Sequence, residues 1–263
     1  MKKGMIDRFG LDGKVAIVTG GNGGIGEGIA RGLAEAGANI VVAARNEAKT
    51  AQACARIKAD FGVETLGVRA DIRQERDNDE MVKQALDRFR RVDILVCNAG
   101  IGIAKPPQDI AVAEWDEIIE TNLRSFFIAA KAAFPAMVKV GGGKVISVGS
   151  TMSIFGGGYF SPYAASKGGI LQLTKSLAIA WAKTNIQVNC ILPGWINSGM
   201  SVRAKSENPE LDRNIIARTP AGRWGEPEDF AGIAVFLASH ASDFVTGTAI
   251  SVDGGYAVQI IWD

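Results

Sequence analysis

Val15-Ala16-Ile17-Val18-Thr19-Gly20-Gly21-Asn22-Gly23-Gly24-Ile25-Gly26 runs from a continuous apolar stretch into a turn with five glycines, and a helical pattern follows from Ile25 to Ala36. The order is strand, turn, helix. Glycines at such a turn allow a tight bend and let backbone N–H groups approach a pyrophosphate, whose charge is favoured at the helix N-terminus. Two registers fit: Gly21-x-Gly23-x-x-Gly26 matches the general dinucleotide fingerprint, and Thr19-Gly20-x-x-x-Gly24-x-Gly26 matches a more specific variant. Candidate cofactor contacts here are Gly20, Asn22, Gly23, Gly24, Ile25 and Gly26. A merely flexible glycine loop is the alternative, and the flanking strand and helix count against it.

The same alternation continues outward. Strand-like runs fall at Val15 to Val18, Ile40 to Ala43, Leu66 to Val68, Ile94 to Val96, Val145 to Val148, Val188 to Leu192 and Ala249 to Val252, with helical patterns between them. Most are apolar throughout, as expected of a parallel sheet covered by helices on both faces. Ligands of such α/β folds bind beyond the carboxyl ends of the strands, where Gly20, Asn98, Ser150 and Pro193 all fall.

Tyr163-Ala164-Ala165-Ser166-Lys167 supplies the chemistry. On a helix, the i,i+4 spacing puts the phenol and the ammonium one turn apart on one face. A tyrosine starts near pKa ~10, so a nearby cation is expected to favour its phenolate and make it an acid or base at neutral pH. The hydroxyl of Ser150 can donate to an oxygen that gains negative charge when a carbonyl accepts hydride. Alone, a Tyr and a Lys at this spacing also suit an ordinary solvated helix face.

Together these motifs resemble the short-chain dehydrogenase/reductase family, from about Leu11 to Tyr256. Cys97-Asn98-Ala99-Gly100 resembles the family's Asn-Asn-Ala-Gly segment, with Cys for the first Asn. The resemblance implies a catalytic set of Asn122, Ser150, Tyr163 and Lys167, in which Asn122 holds a water for the proton relay and Lys167 grips the nicotinamide ribose. Asp71-Ile72 resembles the pair that contacts adenine. Asn98, Ala99 and Gly100 are implied cofactor neighbours. Pro193-Gly194-Trp195-Ile196-Asn197-Ser198 resembles the stretch that holds the nicotinamide amide, with Ser198 for the commoner Thr. Val252-Asp253-Gly254-Gly255 is a further marker. The implied architecture is a doubly wound parallel sheet, the Rossmann fold, in the order 3-2-1-4-5-6-7.

Composition sets limits. With 263 residues, 47% of them hydrophobic, and no linker, repeat or low-complexity block, one domain over 1–263 is expected. Net charge is +1, from 29 basic and 28 acidic residues spread along the chain, which leaves no electrostatic footprint for nucleic acid or an anionic membrane. No apolar span reaches 18 residues, and Asp7, Arg8, Asp12 and Lys14 interrupt any leader, so a cytoplasmic protein is expected. Cys54, Cys97 and Cys190 lack a CxxC pattern and read as reduced thiols, and no metal site is expected. His240 is the only histidine, and no GxSxG elbow surrounds Ser150, which makes hydrolysis a poor reading.

Cofactor choice should be set after the second strand. The acid that would bond a ribose 2′-hydroxyl is replaced by Ala44, and Arg45 beside it can pair with a 2′-phosphate, so NADP(H) is expected over NAD(H). NADP-dependent relatives often carry a second basic residue where this chain has Gly23. The expected reaction joins a carbonyl and a secondary alcohol, as in a ketone reductase or alcohol dehydrogenase. The substrate wall is expected from Met152, Phe155, Tyr159, Phe160, Trp195 and Met200, with a substrate loop over about 195–216. Arg203 or Lys205 would suit a carboxylate, as a gluconate-type sugar-acid dehydrogenase needs; a glucose 1-dehydrogenase-like sugar enzyme is the neutral counterpart. Reduction of 3-oxoacyl thioesters is disfavoured, because the positions that commonly carry carrier-docking arginines are Gly141 and Ile179. A non-catalytic NAD(P)-binding regulator is disfavoured by the intact catalytic set. Apolar residues on more than one stripe of the Tyr163 helix, and the tail Ile260-Ile261-Trp262, suggest a homotetramer.

Overall fold

Every side chain of β1 (Val15–Thr19) is buried, and the strand lies third in the order of a seven-stranded parallel sheet, paired on both sides. The computed structural model describes the chain apart from residues 1–3, 200, 202–204, 206–208 and 260–263. Met200, Arg203 and the tail Ile260-Ile261-Trp262 therefore lie outside the described residues. The order is β3-β2-β1-β4-β5-β6-β7, as the resemblance implies, with β2 Asn39–Ala44, β3 Thr65–Arg69, β4 Ile94–Cys97, β5 Gly143–Val148, β6 Ile186–Pro193 and β7 Ala249–Val252.

Because β-strand side chains alternate between faces, β1 feeds two cores. Val15 and Ile17 pack with α3 (Glu75–Phe89), α5 (Ser125–Lys139) and α6 (Ser161–Trp181), through Met81, Phe126 and Ile170. Ala16 and Val18 face α1 (Gly24–Glu35), α2 (Glu47–Phe61) and α8 (Ala231–Ala238), through Ile29, Ile57 and Leu237. Close packing on that side depends on Gly28, where a Cβ would sit 2.0 Å from the Pro227 carbonyl oxygen. The remaining helices are α4 (Val112–Ile119) and α7 (Pro209–Arg218).

Strands reach past their apolar runs where buried polar groups find partners. In β6, the Asn189 amide donates to the Val245 carbonyl and accepts from the Thr248 N–H. In β5, the Lys144 ammonium pairs with Asp243 at 2.9 Å. Between α4 and α5, Glu120–Arg124 forms one π-helical turn, a feature that often marks functional sites, and it contains Asn122. No described helix is long and apolar enough to cross a membrane.

The sheet winds outward in both directions from β1 and β4. Their carboxyl ends therefore open the crevice where a doubly wound fold takes its ligand.

Candidate active site

At this crevice Gly20 follows β1 with a φ of +66° that suits glycine, and α1 starts at Gly24 with φ +53°. Asn98, just past β4, ties the turn down: its side-chain amide donates to the carbonyls of Thr19 (3.1 Å) and Gly20 (3.3 Å), and its N–H donates to the Thr19 hydroxyl. A Cβ at Gly26 would lie 2.4 Å from both that amide nitrogen and the Gly20 carbonyl oxygen. A Cβ at Gly20 would lie 3.1 Å from the Ala99 Cα, and one at Gly24 3.3 Å from the Ser198 Cβ. The bare turn at a helix N-terminus, kept clear of side chains, fits a dinucleotide's pyrophosphate. Asn98 acts as a latch here, and Asn22 donates to the Thr50 hydroxyl.

On the adenosine side, Asn46 caps α2 by accepting the Lys49 N–H at 2.9 Å. This first helical turn brings Lys49 Nζ to the glycine loop, 2.4 Å from where a Gly23 Cβ would be. Both Arg45 and Lys49 are exposed at this edge. Sequence reading missed Lys49; its signal is the four-residue spacing from Arg45 combined with the empty Gly23 position. Asp71 is held low, first by its hydrogen bonds to Arg73, while burial works against them. Ile72 is buried beside Thr19, Cys97 and Asn122.

The four catalytic candidates meet at the ends of β4 and β5. Ser150 follows β5, and its hydroxyl accepts the Met152 N–H at 3.1 Å and faces Tyr163, the third residue of α6. Lys167, 4% exposed, donates to the Val148 carbonyl at 2.8 Å and lies 5.5 Å from the Tyr163 ring centroid. A Cβ on Gly100 would come within 3.6 Å of Lys167 Nζ and 3.1 Å of Asn122 Oδ1. Asn122 is buried and spends its side chain on both backbone groups of Ile101 and on the Ser166 hydroxyl, so it braces the turn after β4 and does not bond Lys167 directly.

Electrostatics differ from expectation at one point. The phenol of Tyr163 is pushed above its ordinary value by burial, with only the Ser150 hydrogen bond pulling it down. The same burial depresses Lys167 to about 8. Desolvation disfavours the charged form of each, so from protein groups alone Lys167 does not bring Tyr163 down.

The expected substrate wall is brought together in part. Phe155 meets Tyr256 (ring centroids 6.1 Å apart), and Trp195 meets Tyr256 and Trp224 at 6.5 and 5.7 Å. Met152 and Phe160 converge on Gly157, whereas Tyr159 is 60% exposed and packs little. The Pro193-to-Ser198 segment is pinned from both sides. Gly194 donates to Val252, and Trp195 and Asn197 exchange backbone bonds with Gly225, which buries Ile196. Lys205 is already engaged by Asn197, Asp212 and the face of Trp224. The three cysteines are free thiols.

A family model described as enoyl-(acyl carrier protein) reductase matches residues 20–257. The chain is 39% identical over 256 residues to the 2-dehydro-3-deoxy-D-gluconate 5-dehydrogenase of Dickeya dadantii (strain 3937), covering 97% of this chain and 100% of that one. It is 35% identical over 257 residues to the gluconate 5-dehydrogenase of Gluconobacter oxydans (strain 621H), covering 97% and 98%. The solved gluconate 5-dehydrogenase from Burkholderia cenocepacia J2315, in complex with NADP and tartrate, matches with a TM-score of 0.93 at 37% identity, covering 98% of this chain and 100% of that one.

Burial of the Lys167 cation has a measurable cost. With its folded pKa at about 8 and an unfolded value near ~10.4, the cost is fully present below the folded pKa and is relieved as pH rises towards the unfolded one. Between pH 7 and about 9.5, wild-type stability should therefore rise by about 2 kcal/mol relative to Lys167→Met, as read from urea unfolding. Parallel stability curves for the two proteins would contradict the burial of a charged Lys167.

Proposed function

The chain belongs to the short-chain dehydrogenase/reductase family and is an NAD(P)-dependent dehydrogenase acting on CH–OH groups; from that premise we propose that its substrate is a sugar acid, oxidised reversibly at a secondary hydroxyl. The observation that carries the catalytic part is the convergence of Ser150, Tyr163 and the buried Lys167 where β5 and α6 meet the crevice. The sugar-acid part is supported by what the relatives are named for and by the tartrate of the B. cenocepacia complex. Acyl thioesters fit less well: Gly141 and Ile179 offer no charge to an acidic carrier.

A bound nicotinamide would supply the hydride donor or acceptor, and Gly20 to Gly26, Asn98 to Gly100 and Pro193 to Ser198 are the segments that would hold the cofactor. In reduction, Tyr163 enters as the neutral phenol and gives its proton to the carbonyl oxygen. The Ser150 hydroxyl, beside that phenol, has one proton to give and donates it to the substrate oxygen as its charge develops. In oxidation the same proton returns through Tyr163, and the buried group that titrates within reach of neutral pH is Lys167, at about 8. Asn122 keeps Gly100 and Ile101 against Lys167, which fixes where that ammonium sits. Tyr163→Phe should lower turnover by about 10²–10⁴-fold while leaving the Kd for the cofactor within about twofold. Substantial retained turnover would refute the acid/base role.

NADP(H) is the proposed preferred cofactor, on the strength of Arg45 and Lys49 flanking the glycine turn where no acidic side chain replaces them. Arg45→Ala combined with Lys49→Gln should weaken NADPH binding by about 10- to 100-fold and NADH binding by less than about threefold, as measured by fluorescence titration. A wild-type protein that binds both cofactors equally would sink the preference.

For assembly we propose a homotetramer. On α6, Ile170, Leu171 and Leu177 are spent in the chain's own core, and Trp181 stacks on Phe134 at 4.8 Å, so less of this helix is free than its sequence suggests. What is left is Ile179 at 82% exposure, together with Phe127 and Val138 on α5. Light scattering should give a mass of about four chains; a stable monomer would remove this reading.

A further inference from the structure

A substrate that carries a carboxylate needs a cation in the pocket wall, and the cations around that wall can be sorted by what they already hold. Lys105, in the turn after β4, pairs with Glu114. Lys205 is held by Asn197 and Asp212. Arg223 forms two hydrogen bonds with Asp229, at 2.7 and 2.9 Å. Arg218, the last residue of α7, is different. Among the described residues it has no carboxylate partner, and its Nε is buried without a hydrogen-bond partner.

What Arg218 does touch is aromatic. Its guanidinium carbon lies 4.3 Å from the Tyr256 ring centroid and 5.8 Å from that of Phe155. Phe155 is in the loop that follows Ser150, and Tyr256 also meets Trp195, the residue after Gly194. Arg218 is thereby placed in the wall shared by the two loops that frame the reacting centre. Ring faces attract the cation but accept none of its N–H donors in the way a carboxylate does. A half-buried guanidinium whose Nε is enclosed and unpaired among the described residues is an open site for a planar anion, which it can grip through two parallel bonds.

We infer that Arg218 is the receptor for the substrate's carboxylate and the residue that separates sugar acids from neutral sugars and ketones. The inference rests on the sugar-acid reading above and names the group that would enforce it. Phe155 and Tyr256 hold the guanidinium in place without a salt bridge among the described residues.

The test compares a keto sugar acid with the same keto sugar bearing a hydroxymethyl group in place of the carboxylate, using wild type, Arg218→Gln and Arg218→Lys. For the acid, KM should rise about 10- to 100-fold in Arg218→Gln with kcat nearly unchanged, and Arg218→Lys should recover part of the loss. For the neutral sugar, KM should stay within about twofold, and NADPH binding by fluorescence should be unaffected. Should Arg218→Gln fail to fold, Arg218→Lys and the ionic-strength dependence of the wild-type KM, steep for the acid and flat for the neutral sugar, carry the same comparison. Equal effects on both substrates, or none, overturn the role of Arg218 while leaving the sugar-acid reading intact. A wild type inactive on every sugar acid overturns that reading, and this inference with it.

Discussion

The pair of hydrogen bonds from the Asn98 side chain to the carbonyls of Thr19 and Gly20 holds together everything that the site requires. These bonds cross the one place where the sheet changes winding direction, between β1 and β4. They fix the glycine turn against the strand that leads to Gly100, Asn122 and Lys167. The close approach tolerates no side chain at Gly26, where a Cβ would be 2.4 Å from the amide. A polar latch and missing side chains are thus two halves of one constraint: the turn must lie close enough to β4 to be bonded, and bare enough to admit phosphate.

A second consequence of this geometry is electrical. Packing the site around Tyr163 and Lys167 strips water from part of the first and nearly all of the second, and that loss outweighs their nearness to one another. The phenol moves up and the ammonium down to about 8, the opposite of a simple ion-pair picture. The protein invests stability in a buried cation with one carbonyl acceptor, Val148, because a proton held there is in contact with the reacting centre and shielded from bulk solvent. The π-turn at Asn122 belongs to the same arrangement, since the amide it carries bonds Ile101 and Ser166.

The strands were legible because their burial is two-sided: a continuous apolar run has few other uses in an α/β chain. Their ends were less legible. Lys144 and Asn189 lie inside strands and are buried, and the distant Ser242, Asp243, Val245 and Thr248 make such polar residues tolerable. Lys205, read from sequence as a carboxylate ligand, turns out to be engaged by Asp212 and Trp224, seven and nineteen residues further along. Free and committed cations look alike in a sequence, because commitment is a matter of which acid folds against them.

By itself the sequence determined the strand–turn–helix unit, the alternation that makes a parallel sheet, and the Ser150, Tyr163 and Lys167 triplet, since each is written in local spacing along the chain. Tertiary structure alone decided that Lys49 reaches over Gly23, that Asn98 latches the turn, and that Arg218 stands between Phe155 and Tyr256 with no acid partner among the described residues. The physical reason is common to all three. A hydrogen bond or an ion pair acts over about 3 Å, and whether two groups separated by tens of residues come that close is a property of the packed sheet and its loops, with no trace in the local pattern of either segment.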